Sequence, residues 1–250
     1  MKTYRLIASA LLAALAFVLQ ISNGVLGIPT GFGMTIDFAA VPVLIALFVL
    51  GAEYAMMVLA LLALIILTTS PTGYVGALMK MAATIPMIVV PYFIAKEKEI
   101  YKDLIGALAV IIGVLAIFAV STELAQMPGL EMLAGIFPLL IIVAAGYWMA
   151  KKGGRVDLSN AKLAFVALII AAFARSLIMT FSNLYFAGPV FFHISPGEFI
   201  GALDALFLPF LGSGMGWFVI FFWNVIQSVV EFAFAWIPAY HFGLVKRYSE

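Results

Sequence analysis

The chain of 250 residues is 66% hydrophobic and only 10% charged, with a mean hydropathy of +1.20. Soluble domains are roughly 45–50% apolar and about 25% charged, so this composition excludes them and indicates an integral membrane protein. A net charge of +1 offers no basic surface for nucleic acid, and the absence of cysteine excludes disulfides and thiolate metal sites. The two histidines, His193 and His241, are far apart in sequence and on opposite sides of the topology predicted below. We therefore expect no metal and no cofactor.

The sequence contains about eight apolar runs that are long enough, or almost long enough, to cross roughly 30 Å of hydrocarbon. The first run, preceded by Lys2 and Arg5, also has the form of a secretory signal, but the rest of the chain is equally apolar and favours a first spanning helix. The second and third runs meet at residues 51–53 and are either tilted helices or one broken element. Residues 199–211, which include Pro209, are read as a re-entrant or interfacial piece. The eight runs cover residues 6–22, 37–50, 53–69, 76–95, 104–121, 131–150, 161–186 and 214–240.

The basic residues predict how the chain sits in the cell membrane. If the N-terminus is cytoplasmic and each run crosses once, the inner segments hold 11 of the 13 Lys and Arg residues, and the outer segments hold none. Both termini are then cytoplasmic, and residues 1–250 form one multi-pass membrane domain. The run pair at 104–150 is the least polar part and is interpreted as an inserted helical hairpin.

Lys80 and Arg175 are the two basic residues left inside the predicted helices. A basic side chain at the centre of a spanning helix costs about 2.5–3.5 kcal/mol, so it normally has a partner or lines a polar cavity. Lys80 lies about one turn inside the outer end of its helix, and both snorkelling to the interface and a substrate contact are open to it. Arg175 is roughly 21 Å from the inner end, by the rise per residue, and needs a partner.

The last helix supplies polar side chains at matching depth. Asn224, Gln227 and Glu231 are spaced by three and four residues and share one helix face. Arg175 is within vertical reach of Gln227 and Glu231, which predicts either an internal Arg175–Glu231 ion pair that holds helices together or direct substrate contact. The uncharged amides of Asn183 and Asn224 suit hydrogen bonds to a heterocycle.

Two features near the N-terminus suggest partners. Ala10 and Ala14 form a small-xxx-small pattern that permits close approach of another helix, although alanine is common in membrane helices. Residues 23–37 form a glycine-rich segment that is uncharged until Asp37, and it is either a lid over a site or an ordinary connector.

Four stretches together resemble one family, the substrate-capture subunits (S components) of energy-coupling-factor (ECF) vitamin transporters, and within it the riboflavin-specific type. The first helix resembles the family's alanine motif, and the segment IDFAAVPVLIALFVLG resembles its Asp-Phe-x-x-Ile-Pro-x-Leu run. The segment ARSLIMTFSNLYFAGPVFF is similar to the Arg-x-x-x-Met-Thr-x-x-Asn-Tyr segment. FWNVIQSVVE resembles the last-helix Phe-Asn-x-x-Lys stretch, with Gln227 in place of the lysine.

The resemblance implies a six-helix S-component core plus the extra hairpin, and a binding protein rather than an enzyme. It implies that Ala10 and Ala14 dock on a transmembrane T component. That component works with ATP-binding subunits to take up a vitamin, which is riboflavin for the type that this chain resembles. Asn183 and Asn224 would hydrogen-bond its ring system. The full set of expected substrate-binding residues is Asn183, Asn224, Gln227, Lys80, Asp37, Met34 and Tyr74.

Two other classes of function remain open. An autonomous proton- or sodium-coupled transporter of a small heterocycle would use Arg175 and Glu231 as its coupling pair, although the sequence shows no inverted repeat. A membrane-embedded enzyme has thin support, because Asp204 and Glu198 beside a proline–glycine loop are its only nearby carboxylates. Phosphate-binding, metalloprotease and nucleophile-elbow motifs are absent from the sequence.

Overall fold

The computed structural model describes residues 2–30, 35–96, 105–106, 108–109, 111–117, 119–120, 131–152, 154–211 and 214–249. Apart from one short hairpin, the regular elements in these residues are helical. The helices are α1 (Lys2–Ile21), α2 (Asn23–Leu26), α3 (Val41–Val49), α4 (Ala52–Thr69), α5 (Gly73–Lys96), α6 (Glu131–Lys152), α7 (Ala161–Ser182), α8 (Gly188–Phe192), α9 (Pro196–Leu211), α10 (Gly216–Trp236) and α11 (Leu244–Ser249). Strands β1 (Ile28–Pro29) and β2 (Thr35–Ile36) pair antiparallel, and π-helical turns follow α7 at Asn183–Ala187 and α10 at Ile237–His241.

Five stretches of the described chain are long and apolar enough to cross a membrane. A helix satisfies its own backbone N–H and C=O groups, as hydrocarbon requires of any spanning segment. The chain therefore has the build of an all-α membrane protein, while the number of spans and the side of the termini stay predictions. The five stretches are Thr3–Ile21, Ala52–Thr69, Gly73–Lys96, Ala161–Phe192 and Gly216–His241.

Helix α3 is shorter than the apolar run at 37–50 suggests. Its nine residues rise about 13.5 Å, less than half of the hydrocarbon thickness. The residues before it form the β1–β2 hairpin and then a turn, in which the N–H of Ala39 donates to Asp37 Oδ1 at 2.8 Å. Pro42 occupies the first turn of α3, where its missing N–H leaves no helical bond unmade.

Helices α3 and α4 are two packed helices rather than one broken helix. Gly51 between them has a φ of +123°, a region that other residues adopt only with strain. The chain reverses there, so that α3 packs along α4 and also contacts α10. Most of its side chains are buried as a result.

Helix α5 is the centre of the bundle and contacts α4, α6 and α7, and α7 also packs against α10. Side chains of α5 such as Met81, Met87 and Ile88 are almost inaccessible. Helix α1 lies at the periphery, with Ala13 and Ala16 buried against the bundle and much of its remaining surface exposed. That exposed surface is apolar and therefore suits lipid or another membrane helix.

Hydrogen bonds to backbone carbonyls identify one end of the bundle. The N–H of Ala52 donates to Gly154 C=O at 2.7 Å, and the indole N–H of Trp236 donates to Leu158 C=O at 2.9 Å. These bonds bring together the start of α4, the ends of α6 and α10, and the start of α7. We call this the basic end, because it carries Lys151, Lys152, Arg155 and Lys162. Helix α5 starts at the opposite end, since only residues 70–72 join it to α4.

Two predicted features are described in part. Within 104–150, helical residues occur at 105–106, 108–109, 111–117 and 119–120, and α6 packs against α4. The remainder of that predicted hairpin lies outside the described residues. Residues 199–211 belong to α9, a helix of 16 residues that contacts α10.

Candidate functional site

A cavity of about 250 Å³ lies between α5, α7, α10 and the segment before α3, at the end opposite the basic end. Arg175, Asn224 and Gln227 form its floor, since each is no more than 3% exposed. Phe191 and Phe192 are 46% and 51% exposed and mark its mouth. The cavity thus runs from the surface of the bundle into its interior, and we refer to that end as the cavity end.

The cavity brings together five of the seven residues expected to bind substrate: Asp37, Lys80, Asn183, Asn224 and Gln227. Arg175 lines it as well. Tyr74, half-buried in the first turn of α5, is not among the lining residues, and Met34 lies outside the described residues. Ala10 and Ala14 lie elsewhere, on the exposed surface of α1.

The floor is built on one buried carboxylate. Arg175 Nη1 forms an ion pair with Glu231 Oε2, and Gln227 Nε2 donates to Glu231 Oε1 at 2.8 Å. Glu231 is 0% exposed and does not line the cavity, whereas the two side chains that it holds do. The internal ion pair predicted for Arg175 is therefore present, and it supports the cavity wall. Direct contact of Arg175 with a substrate stays a prediction.

A second ion pair closes the side of the cavity. Lys80 Nζ lies 2.6 Å from Asp37 Oδ1, and the two side chains are 9% and 13% exposed. Lys80 therefore turns inward to a carboxylate instead of snorkelling to the interface. This pair ties the segment between β2 and α3 to the centre of the bundle.

The charge of Asp37 is maintained despite its burial. Desolvation alone would raise the pKa of Asp37, but the Lys80 ammonium and its hydrogen bond, together with the Ala39 N–H, outweigh desolvation and lower it. Arg175 adds to the same effect from across the cavity. Asp37 is thus ionised at neutral pH, and the pair is a true salt bridge.

The two asparagines donate to backbone carbonyls one helical turn back. Asn183 Nδ2 donates to Met179 C=O at 2.7 Å, and Asn224 Nδ2 donates to Ile220 C=O at 2.8 Å. Asn183 opens the π-helical turn, which ends at Ala187, directly before Gly188 and Pro189. Such turns widen the helix and often occur at functional sites.

Aromatic residues at the mouth were not individually predicted from the sequence. Phe192 stacks on Phe199, with ring centroids 5.6 Å apart and 24° between planes, and Phe191 lies beside them in the lining. A Cβ at Gly188 would lie 2.9 Å from Phe199, so the glycine permits this close approach. The only sequence signal is the Phe pair that follows Gly188-Pro189. The Phe pair alone does not predict that Phe192 stacks on Phe199.

Two larger cavities lie away from these residues. One, of about 510 Å³, is an apolar groove between α4 and α6, and the other, of about 460 Å³, lies at the basic end beside Trp236 and Tyr240. The charged residues that line the basic-end cavity, Arg155, Asp157 and Lys246, are exposed. We favour the 250 Å³ cavity as the candidate site, although it is smaller, because buried charged and amide groups converge there beside aromatic walls.

Within the part of the chain that the structure describes, no group of three or more His, Asp or Glu side chains could hold a metal ion. The side chains that line the cavity can form hydrogen bonds and ion pairs. The fold and the site define the protein only as an all-α membrane protein with a polar cavity between its described helices. Comparison with known protein families, with curated proteins and with solved structures finds no match.

Proposed function

We propose that this protein is a membrane-embedded capture subunit that binds a flat heterocyclic vitamin, with riboflavin as the leading candidate. The observation that carries the proposal is the convergence of Lys80, Arg175, Asn183, Asn224 and Gln227 around one cavity. These residues come from α5, from α7 with the π-helical turn that follows it, and from α10. The first and the last of them are 147 positions apart in the sequence, 80 to 227. Their resemblance to the S-component motifs supports the transport role.

The lining suits a ring system. Binding sites for small molecules combine apolar or aromatic walls with a few placed polar groups, and their volumes are typically about 300–1,000 Å³. At about 250 Å³, this cavity lies just below that range, so we propose that it holds the ring system and that a longer substituent extends toward the mouth at Phe191 and Phe192.

The charge distribution supports uptake from outside. The cavity lies opposite the basic end, and an excess of Lys and Arg marks the cytoplasmic side of membrane proteins. We infer that the ligand enters at the cavity end from outside the cell membrane and leaves toward the cytoplasm.

Delivery would need partners. The chain has no nucleotide-binding motif, so the energy for an ECF-type cycle would come from ATP-binding subunits that act through a T component. Ala10 and Ala14 are exposed on α1 and give that component a small-residue surface for docking. We propose no catalytic role, since Asp37 and Glu231 are both engaged in ion pairs.

The direct test is the small-molecule content of the protein purified from membranes. A yellow, fluorescent compound released on denaturation and identified as riboflavin would establish the ligand. A colourless preparation that shows no heat of binding with added riboflavin would remove riboflavin and leave other flat vitamins to be screened.

The second candidate is an autonomous ion-coupled transporter. The observation in its favour is the Arg175–Glu231 pair, which is buried between two predicted spanning helices and touches the cavity. Uptake into proteoliposomes that contain this chain alone, driven by a proton or sodium gradient, would establish it. Uptake only with a T component and ATPases would exclude it.

A further inference from the structure

We propose that the cavity floor recognises a lactam or imide edge, meaning a ring N–H beside a ring C=O, on a ligand without net charge. Gln227 accepts the hydrogen bond from the ring N–H, and Arg175 donates to the ring C=O. Glu231 is the positioning residue that orients both. This inference rests on the proposed capture function and narrows its substrate class.

The orientation of the Gln227 amide follows from its partner. An ionised carboxylate only accepts hydrogen bonds, so the amide nitrogen must face Glu231 Oε1, at 2.8 Å. Gln227 lines the cavity, and its carbonyl Oε1 is the acceptor that the bond to Glu231 does not use. A lysine at this position could not accept a hydrogen bond, whereas Gln227 can accept one from a ligand N–H.

Arg175 has donors beyond the one given to Glu231. A guanidinium carries five N–H donors in a fixed plane, and only Nη1 contacts the carboxylate. Its Nε is buried and has no hydrogen-bond partner among the described residues. A buried polar group without a partner costs free energy, so a ligand carbonyl that reached it would gain affinity.

Glu231 sets the two groups side by side. Its two oxygens bind Gln227 and Arg175 separately, which holds both side chains on one buried carboxylate, and both side chains line the cavity. A ring N–H beside a ring C=O is the complementary pattern. Because Glu231 does not line the cavity, it acts on the ligand only through those two residues.

The charges around the cavity favour a neutral ligand. Lys80 is paired with Asp37, and Arg175 with Glu231, so the charged groups at the cavity cancel within the protein. A charged ligand would leave its own charge buried without a partner, at a large cost.

The test compares ligands that differ by one methyl group. The probes are riboflavin against 3-methylriboflavin, and hypoxanthine against 1-methylhypoxanthine, titrated calorimetrically into the protein in lipid nanodiscs. N-methylation removes the donor and leaves Gln227 Oε1 unpaired, so we expect the unmethylated member of whichever pair binds to be tighter by about tenfold or more.

Variants then assign the selectivity to residues. Gln227→Met keeps the size of the side chain and should bring the methylated-to-unmethylated affinity ratio close to one. Glu231→Gln should shrink the ratio as well, although the side chain does not line the cavity. If that variant does not fold, the double change Arg175→Met with Glu231→Leu removes the pair without leaving a buried charge. Glu53→Gln makes the same chemical change near the basic end and should leave the ratio unchanged.

Each outcome decides the proposal. Equal binding of the methylated and unmethylated probes overturns the lactam edge and leaves the capture function standing. Selectivity that survives Gln227→Met assigns the recognition elsewhere and also overturns it. If neither pair binds, the lactam inference fails, while the extract of the purified protein still tests capture of another ligand.

Discussion

At the scale of single residues, Glu231 determines most of the candidate site. It is fully buried, and its two oxygens hold the guanidinium of Arg175 and the amide of Gln227. Burying two charges is costly, and their attraction offsets that cost only while both are present. The pair therefore supports the geometry of the floor more than it adds to the stability of the fold.

This argument predicts a specific mutant pattern. Arg175→Met alone should destabilise the protein by about 3–5 kcal/mol, because it leaves the Glu231 carboxylate buried and unpaired, and Glu231→Leu alone should cost a similar amount. The double variant should recover most of the loss. Thermal unfolding in detergent measures all four proteins. A double variant as unstable as the sum of the two single variants would show that the charges do not interact as described.

The Asp37–Lys80 pair predicts a pH dependence. Folding lowers the pKa of Asp37 below its ordinary value of 3.8, so the stabilisation is complete well above that value and is lost as the pH falls through the folded pKa. The difference in melting temperature between the wild type and Asp37→Asn should stay constant from about pH 7 to about pH 5 and shrink in stronger acid. In a Lys80→Met background, Asp37→Asn should no longer destabilise. A difference that grows on acidification would contradict the salt bridge.

At the scale of elements, two glycines and two aromatic residues place the helices that build the cavity. Gly51 allows the reversal between α3 and α4, and Gly188 allows Phe199 to approach the π-helical turn after α7. At the basic end, Trp236 and Tyr240 hydrogen-bond the backbone of residues 156–158 and hold the start of α7 against the end of α10. These contacts keep α7 and α10 in register, which aligns Arg175 with Glu231.

The reversal at Gly51 can be tested by substitution. Gly51→Ala forces a side chain into a backbone region that costs about 1–3 kcal/mol, and its Cβ would lie 2.8 Å from the Glu53 carboxylate and 3.1 Å from Gly154. We expect a lower melting temperature. Gly201→Ala is the matched control, since a Cβ there meets nothing within 4 Å and the residue is helical. Equal melting temperatures for the two variants would exclude a special role for Gly51.

Helix α1 carries a prediction about the proposed partner. Ala10→Trp or Ala14→Trp adds bulk to the exposed surface of α1 and should abolish uptake by the assembled transporter while ligand binding is retained. Uptake by cells and binding by the purified protein separate the two effects. Ala144→Trp adds the same bulk to an exposed position of α6 and should leave uptake intact. Normal uptake in both α1 variants would remove the docking role.

At the scale of the whole molecule, the bundle has two unlike ends. One end carries Lys and Arg side chains, and the other carries the cavity with its aromatic mouth. Both the proposed capture from outside and the release inward depend on how the bundle is oriented in the membrane.

The natural absence of cysteine makes that orientation easy to measure. A membrane-impermeant maleimide should label Gly197→Cys in intact cells, because residue 197 is exposed at the cavity end. It should label Ser159→Cys, exposed near the basic end, only after the membrane is permeabilised. The reverse pattern would invert the topology and with it the direction of capture.

The sequence by itself determined the class of protein and most of the polar residues of the site. Apolar runs can only be buried in lipid or protein, so composition and run length were sufficient to indicate a helical membrane protein. Likewise, a Lys or an Arg within such a run normally has a partner or lines a polar cavity, unless it reaches the interface, which singled out Lys80 and Arg175. Asn224, Gln227 and Glu231 could be placed on one helix face because residues three and four positions apart are neighbours on a helix surface.

Only the tertiary structure decided which of these residues meet. The pairing of Lys80 with Asp37, the inward turn of the segment before α3, and the contact of Phe192 with Phe199 each depend on helices packed against one another. Local periodicity specifies which face of a helix is polar but not which neighbour it faces. The same limit kept the role of Glu231 open, because its partners lie both on its own helix and on α7, 56 residues earlier in the chain.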